Sequence, residues 1–212
     1  NFISKILPTI SKVKEMKHFA VIGCPIEHSL SPLLHQEIYR QLNISASYEK
    51  KNVMTNELDS FIYTNKLNGF NVTIPHKQTI LPFLKALDDS AKIIGAVNCV
   101  YKGKGYNTDW VGFLKTINHN GLSLNDKSCV IIGAGGAARA IAYGLIKKGI
   151  KSISIQNRTV ESAQKLLKWI NVIHPTNSLD ETPNIIINCT PLGMWPKINS
   201  IPDIEINNQS IL

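Results

Sequence analysis

The sequence has few cysteines and no clustered histidines, and this scarcity excludes several kinds of site. Four cysteines in 212 residues lie far apart without a C-x-x-C pair, so neither a disulfide framework nor a zinc site built on cysteine is indicated. The six histidines also lack the spacing of metal ligands. We therefore interpret the cysteines as reduced core thiols in a cytoplasmic compartment, and no metal is predicted.

Long apolar runs and blocks of like charge are missing as well. No uninterrupted apolar stretch approaches the roughly 18 residues that a membrane-spanning helix needs. Residues 1–15 have no compact apolar segment with a cleavage site, so they are interpreted as an N-terminal extension rather than a secretory signal. Lys and Arg outnumber Asp and Glu by 23 to 15, but they are scattered and do not form a basic stripe with aromatics. The charge balance therefore favours anionic small molecules over nucleic acid.

From Phe19 onward, short apolar strands alternate with amphipathic helices, the pattern of βαβ units around a mainly parallel sheet. The predicted strands cover residues 19–24, 47–53, 69–73, 128–132, 152–156 and 185–188, and the predicted helices cover 32–42, 57–66, 109–118, 136–148 and 160–169. A short helix is expected after residues 88–90, and a hairpin over 97–106, turned by residues 102–105. The polar stretch 118–127 indicates a link between an α/β domain over 16–118 and a second domain over 119–212.

A glycine-rich segment follows the predicted strand 128–132 and opens the next helix. Residues 133–138 fit G-x-G-x-x-G/A, in which Gly133 allows the tight turn, Gly135 admits a pyrophosphate and Ala138 lets helix and strand pack closely. Because the segment joins a strand to a helix, the first N–H groups of the helix would face the phosphates. This context favours a Rossmann-type dinucleotide-binding domain over a glycine turn that holds no ligand.

The end of the next predicted strand indicates which dinucleotide is bound. An NAD site would place Asp or Glu about 20 residues after the motif, whereas this chain has Asn157, Arg158 and Thr159. A guanidinium can pair with a 2′-phosphate, which a carboxylate would repel. NADP is therefore favoured. Asn157 and Thr159 could also cap the following helix, and the two roles are compatible.

Polar side chains also stand at strand-to-helix junctions upstream of the glycine segment. Ser31 is expected to be an N-cap with Pro32 as the first helical residue, but two hydroxyls at Ser29 and Ser31 could also bind one carboxylate. Lys77 alone would be a solvated lysine, and Asp109 alone an N-cap. A lysine and an aspartate upstream of a nucleotide loop, taken together, suggest a dehydrogenase.

Seven motifs occur in a fixed order between about Met16 and Met194. They are H-S-x-S-P, N-V-T-x-P-x-K, A-V-N, N-T-D, G-A-G-G-A-A-R-A, N-R-T and N-C-T-P-L-G-M. In order and spacing, this set closely resembles shikimate dehydrogenase. The resemblance implies an N-terminal α/β substrate domain followed by a Rossmann-type domain. It also implies NADPH-dependent, reversible reduction of 3-dehydroshikimate to shikimate in the shikimate pathway of aromatic amino-acid biosynthesis.

The resemblance further implies roles for individual residues. The residues that would hold the substrate are Ser29, Ser31, Thr73, Lys77, Asn98 and Asp109. The residues that would hold NADP are Gly133, Ala134, Gly135, Gly136, Ala137, Asn157, Arg158 and Thr159, with Thr190 and Met194 near the nicotinamide. Lys77 and Asp109 would be the catalytic pair. Because a nearby carboxylate favours the ammonium form of a lysine, Lys77 is assigned as proton donor and orienter.

The chain departs from the family pattern at several points. Cys99 follows A-V-N where the family has Thr. Ser162 stands where many NADP-using members have a second basic residue, which leaves Arg158, with Lys165 as a candidate helper. The family normally continues with a D-x-x-Y segment, a glycine-containing stretch and a C-terminal helix region that carries a substrate-binding Gln. The domain over 119–212 is therefore expected to be incomplete.

Three interpretations stay open on the sequence. The first is a shikimate dehydrogenase given as a truncated chain, the second a quinate/shikimate dehydrogenase that uses NAD, and the third a non-catalytic dinucleotide-binding remnant. Small molecules are the predicted partners in each case, without nucleic acid or membrane. The chain is predicted to be a cytoplasmic monomer or homodimer.

Overall fold

The computed structural model describes residues 15–175, 177, 183–194 and 198–202. The strands in these residues are β1 Lys17–Gly23, β2 Ala46–Asn52, β3 Gly69–Val72, β4 Ala86–Leu87, β5 Cys99–Tyr101, β6 Lys104–Tyr106, β7 Ser128–Ile132, β8 Ser152–Gln156 and β9 Ile185–Asn188. The α-helices are α1 Ser31–Gln41, α2 Leu58–Thr64, α3 His76–Thr79, α4 Asp89–Ile94, α5 Asp109–His119, α6 Gly136–Lys147 and α7 Val160–Ile173. Short 3₁₀ helices cover Thr55–Glu57 and Leu81–Phe83.

The first sheet is mixed, with the strand order β2-β1-β3-β5-β6-β4. β1 pairs in parallel with β2 and β3, whereas β5 pairs antiparallel with β3 and β6. The β5–β6 hairpin turns at Lys102 and Gly103, both with positive φ, as a two-residue hairpin loop requires. The expected turn over residues 102–105 was therefore too long, because Lys104 and Gly105 already belong to β6.

The second sheet is fully parallel, with the order β8-β7-β9. All five residues of the central strand β7 are buried, as expected for a parallel strand that is covered on both faces. One face packs into an apolar cluster that includes Ile131, Leu145 from α6, and Leu166 from α7. The first sheet has its own apolar cluster around Ile22, Phe70 and Ile80.

The half of the molecule that contains the first sheet and the half that contains the second sheet meet through α4, α5 and α6. A third apolar cluster contains Ile94 and Ala96 next to Ala140 and Tyr143 of α6. Trp110 of α5 also contacts Tyr143 edge to face, with ring centroids 5.3 Å apart. The sheets are therefore joined by packed side chains as well as by the connecting chain.

Helix termini differ from the sequence expectations at two positions. Ser31 is the first residue of α1 rather than its N-cap, a position that Leu30 occupies without a side-chain hydrogen bond. Asp109 is likewise the first residue of α5, behind Thr108. The side chains of Ser31 and Asp109 are therefore not at the N-cap positions of these helices. Thr159 does occupy the N-cap position of α7, but its side chain makes no capping hydrogen bond.

Helix α1 is an exception to the packing, because none of its residues is buried. Its apolar side chains include Leu33 and Leu34, which are 67% and 62% exposed.

Helix α4 has a side-chain cap at its N-terminus. The Asp88 carboxylate accepts hydrogen bonds from the backbone N–H groups of Ser90 and Ala91, and such a cap stabilises a helix by about 1 kcal/mol.

Candidate active site

The loops after β1 and β3 lie side by side because both strands are parallel and end at the same edge of the first sheet. The N–H of Thr73 donates to the carbonyl oxygen of Ile22 at 2.9 Å, and the N–H of Cys24 donates to that of Ile74 at 3.0 Å. The first loop carries Ser29 and the second leads into α3, which carries Lys77. The fold thus brings two of the predicted polar segments to one edge.

Lys77, Asp109 and Asn98 form one hydrogen-bonded group. Lys77 Nζ lies 2.6 Å from Asp109 Oδ2, and the two side chains are 17% and 27% exposed. Asn98 Nδ2 donates to the other carboxylate oxygen of Asp109 at 2.7 Å. The carboxylate therefore orients the ammonium group, while both remain accessible to a ligand.

The backbone around this group is fixed by further hydrogen bonds. The N–H of Val97 donates to the carbonyl oxygen of Lys77 at 2.7 Å. Buried Asn107 donates from Nδ2 to the carbonyl oxygen of Ala96 at 2.9 Å, and its Oδ1 accepts from the N–H of Asp109 at 3.1 Å. Positioning of this kind limits the freedom of the reactive side chains before any ligand binds.

A second chain of hydrogen bonds supports Asn98 from the core of the first domain. The Tyr48 hydroxyl donates to Asn71 Oδ1 at 2.7 Å, and Asn71 Nδ2 donates to the carbonyl oxygen of Asn98 at 3.2 Å. Burial raises the pKa of Tyr48, so the hydroxyl stays protonated as a donor. The Asn98 position is therefore fixed from both sides.

The glycine segment lies directly against this group. Gly133 has φ of +110°, and a Cβ there would lie 3.1 Å from the Cys189 carbonyl oxygen. A Cβ on Gly136 would lie 2.8 Å from Lys77 Cβ, whereas one on Gly135 would meet no atom within 4 Å. Gly135 thus leaves open space at the start of α6, and Gly136 lets the helix contact Lys77.

A cavity of about 540 Å³ separates the two halves at this point. Its lining combines Thr73, Ile74, Pro75, Lys77, Gln78 and Thr79 with Gly133, Ala134, Gly135, Gly136, Ala137, Asn157, Cys189, Thr190 and Pro191. Burial raises the pKa of the Cys189 thiol to about 12, and nearby Lys77 opposes that shift. This thiol therefore stays protonated at neutral pH and is a poor nucleophile.

An adjoining cavity of about 650 Å³ extends along the carboxyl end of β8. It is lined in part by Asn157, Arg158, Thr159 and Thr190. The Asn157 side chain donates from Nδ2 to the carbonyl oxygen of Thr159 at 2.9 Å, which holds this turn while the Arg158 side chain stays exposed. A guanidinium is thus presented beside open space, the arrangement that suits a phosphate.

Two protein families match the chain in succession. The family described as the shikimate dehydrogenase substrate binding domain matches residues 21–100, and the one described as shikimate/quinate 5-dehydrogenase matches residues 115–190. A shikimate dehydrogenase (NADP(+)) from Methanosphaera stadtmanae is 41% identical over 90% of this chain and 73% of its own length. The chain belongs to the shikimate dehydrogenase family. The corresponding enzyme of Nitrosopumilus maritimus is 38% identical over 92% of this chain and 78% of its own.

Solved structures of shikimate dehydrogenases also match the fold. One in complex with NADP⁺ superimposes with a TM-score of 0.80 at 38% identity, over 90% of this chain and 72% of that one. A shikimate 5-dehydrogenase from Listeria monocytogenes, in complex with shikimate and NAD, matches with a TM-score of 0.75 at 31% identity, covering 93% and 75%. The predicted substrate domain followed by a Rossmann-type domain is confirmed as the fold of this family, whereas the domain limits at 118 and 119 stay a prediction.

The structure groups most, but not all, of the residues that the shikimate dehydrogenase motifs single out. Thr73, Lys77, the glycine segment and Thr190 line the first cavity, and Asn98 and Asp109 bond to Lys77 or to each other. Ser29 and Ser31 lie outside both cavities, with their hydroxyls 3.2 Å apart. Met194 is 46% exposed and also lines neither cavity.

Other residues take part in this arrangement without having been predicted. Tyr48 and Asn71 support Asn98, and Cys189 lines the cavity beside Lys77. Asn71 and Cys189 stand in the N-V-T-x-P-x-K and N-C-T-P-L-G-M motifs, but Tyr48 lies outside all seven motifs. The hydrogen bonds and contacts of these residues connect distant parts of the chain, which a motif does not indicate. Arg139 belongs to the G-A-G-G-A-A-R-A motif, which by itself indicates no role for its side chain.

Two structural findings bear on other kinds of site. Within residues 15–175, 177, 183–194 and 198–202, no group of three His, Cys, Asp or Glu side chains is placed to hold a metal ion. In the same parts of the chain, no helix combines the length and apolar character needed to cross a bilayer.

Proposed function

We propose that this protein catalyses the reversible, NADPH-dependent reduction of 3-dehydroshikimate to shikimate. The observation that carries the proposal is the Lys77–Asp109 pair, in which Lys77 lines the same cavity as the glycine segment. Family membership supports the same reaction, since relatives that cover most of the chain are named shikimate dehydrogenase (NADP(+)).

The residues around the two cavities fit NADP. The open space at Gly135 leaves room for a pyrophosphate at the N-terminus of α6, where N–H groups without helical partners favour anions. Asn157, Arg158 and Thr159 would hold the 2′-phosphate, with the Arg158 guanidinium supplying the charge. Thr190 lines both cavities and would lie along the cofactor, while Met194 is proposed near the nicotinamide.

NADPH, when bound, supplies the hydride for reduction of the substrate carbonyl. Lys77 donates a proton to the oxygen that gains negative charge in this step. The Asp109 carboxylate holds the Lys77 ammonium group in place at 2.6 Å. In the reverse direction, Lys77 starts as the neutral amine and receives the proton from the hydroxyl group.

The substrate would be held by polar groups at the carboxyl edge of the first sheet. Asn98, Thr73 and Asp109 offer hydrogen bonds to ring hydroxyls, and the paired hydroxyls of Ser29 and Ser31 would bind the carboxylate. The Ser29 hydroxyl donates to Ser31 Oγ at 3.2 Å and accepts from the Ser31 N–H at 3.3 Å, so the Ser31 hydroxyl is the one that can donate directly to a carboxylate.

Quinate with NAD and a non-catalytic role are less well supported alternatives. The relatives from Methanosphaera stadtmanae and Nitrosopumilus maritimus are named for shikimate and NADP(+), and the Lys77–Asp109 pair is intact.

We further propose a cytoplasmic location, because all four cysteines are free thiols and such thiols persist in reducing compartments. A monomer or homodimer remains the proposed assembly.

The decisive experiment is a spectrophotometric assay of the 212-residue chain with shikimate and NADP, compared with Lys77→Met. We expect the variant to lose about 10²-fold to 10⁴-fold in turnover, because the group that exchanges a proton with the substrate oxygen is removed, while NADP binding measured by calorimetry is retained. Lys92→Met is the matched control, since Lys92 forms an exposed ion pair with Asp89 at 3.5 Å. Equal turnover in the wild type and Lys77→Met would overturn the assignment.

A further inference from the structure

Arg139 lies in the first turns of α6 but reaches the other half of the molecule. Its Nε donates a hydrogen bond to the carbonyl oxygen of Ile94, and its guanidinium carbon lies 4.3 Å from the centroid of the Trp169 ring. Trp169 Nε1 in turn donates to the carbonyl oxygen of Ile93 at 3.0 Å. Two helices of the second half thus hold two carbonyl groups at the end of α4.

This contact has a favourable electrostatic basis. The last carbonyl groups of a helix lack helical partners and carry partial negative charge, so a guanidinium is a suitable donor there. Burial lowers the pKa of Arg139, but an arginine stays charged at neutral pH. The Trp169 ring face adds a cation–π contact to the same guanidinium.

The chain that leaves α4 at this contact is the segment that holds the catalytic pair. Gly95 ends the helix with φ of +66°. Val97 then donates from its N–H to the carbonyl oxygen of Lys77 at 2.7 Å, and Asn98 donates to Asp109 at 2.7 Å. Within residues 94–98, the backbone therefore connects the Arg139 contact to both reactive side chains.

The same turn of α6 also contacts Lys77 directly. Gly136 begins α6, and a Cβ at this glycine would lie 2.8 Å from Lys77 Cβ. Helix α6 therefore meets the catalytic lysine directly through Gly136 and indirectly through Arg139 and residues 94–98. These two contacts fix the distance between the glycine segment and Lys77.

We propose that Arg139, supported by Trp169, is a positioning residue that aligns Lys77 and Asp109 with the glycine segment. Arg139 lines neither cavity, so its effect passes through residues 94–98 rather than through contact with a ligand. The expected effect of Arg139 on kcat rests on the proposed function, whereas its expected effect on the backbone of residues 94–98 does not.

The test compares Arg139→Met and Arg139→Lys with the control Lys147→Met. Lys147 is an exposed cation on the same helix, with Nζ 5.5 Å from the centroid of the Tyr143 ring. Its ring contact is with Tyr143 of the same helix, so the control removes a cation–π pair while it leaves the hydrogen bonds to the carbonyl groups of α4 in place. Methionine keeps an apolar side chain of similar reach in both variants.

The first measurement is backbone amide exchange by mass spectrometry, without any ligand. We expect Arg139→Met to raise exchange over residues 94–98 by about tenfold, because opening of this segment no longer breaks the Arg139 hydrogen bond. Lys147→Met leaves the segment at the wild-type rate. Equal exchange in the two variants would refute the proposal whatever the activity of the chain.

The second measurement separates kcat from KM well below the unfolding temperature. We expect Arg139→Met to lower kcat by about tenfold, as misplacement of reacting groups does, while KM for NADP changes by less than about threefold. Arg139→Lys should recover part of the loss, because a lysine keeps a charged donor. An unchanged kcat with a raised KM for NADP would assign Arg139 to cofactor binding and overturn the inference. Absence of turnover in the wild type would count against the proposed function, and the exchange result would still decide the role of Arg139.

Discussion

Arg158 stands at the carboxyl end of β8 with an exposed side chain on the rim of the larger cavity. We expect Arg158→Gln to raise KM for NADP by about tenfold or more and to leave KM for NAD nearly unchanged, because only NADP carries the 2′-phosphate. Initial-rate assays with each cofactor measure both effects.

Two further lysine variants sharpen this test of cofactor choice. Lys168→Gln removes an exposed positive charge from α7 and should leave both KM values at the wild-type level. A raised KM for NADP in Lys165→Gln would show that Lys165 assists Arg158, and an unchanged KM would show that it does not. A parallel rise of KM for NAD and NADP in Arg158→Gln would mean that the guanidinium does not distinguish the two cofactors.

The positions of Lys77 and Asp109 in one site could be predicted from the sequence, whereas the backbone contact of Arg139 could not. Lys77 and Asp109 stand in ordered motifs, and the structure pairs them at 2.6 Å. Arg139 binds a carbonyl oxygen, and every residue has one, so its partner left no trace in the sequence. Its place in the G-A-G-G-A-A-R-A motif gives no indication of that carbonyl partner.

At the level of single elements, the start of α6 offers a direct comparison of two adjacent glycines. Gly135→Ala should fold normally, because its Cβ meets no atom within 4 Å and its φ is −85°. It should nevertheless weaken NADP binding by about tenfold, since the methyl group would occupy the space left for the pyrophosphate.

Gly136→Ala should have the opposite profile. Its Cβ would lie 2.8 Å from Lys77 Cβ and 3.3 Å from Ala96 Cβ, so the helix and the lysine must move apart, and overpacking of this kind costs about 1–3 kcal/mol. We expect a lower melting temperature and a lower kcat, measured by thermal unfolding and steady-state kinetics. A normal melting temperature for Gly136→Ala would contradict the close packing of this turn.

Elements with a strong apolar pattern were predictable, and very short ones were not. The bounds of β7, β8 and β9 match the expectations, because β7 and β9 are mostly apolar and β8 alternates serine with isoleucine. The predicted helix over 57–66 was wrong at both ends, since Thr55–Glu57 is a 3₁₀ helix and α2 ends at Thr64. Helix α3 and strand β4 were missed because four and two residues are too few to show a period.

For the whole molecule, stability depends on the separate apolar clusters of the two sheets. Leu145 is fully buried in the cluster of the second sheet, and Leu145→Ala should lower the free energy of unfolding by about 2–5 kcal/mol. Val172→Ala on α7 is the control, because Val172 is 76% exposed. Urea denaturation measures both, and similar losses in the two variants would show that the cluster does not determine stability.

If the two sheets rotated as rigid bodies about the contact between Arg139 and the end of α4, the displacement of each residue would depend on its distance from that contact. In such a rotation, displacement grows with distance from the pivot, and Lys77 is close to this pivot because its Cβ packs against the first residue of α6. A rotation about this contact would therefore move Lys77 less than residues that lie farther from it.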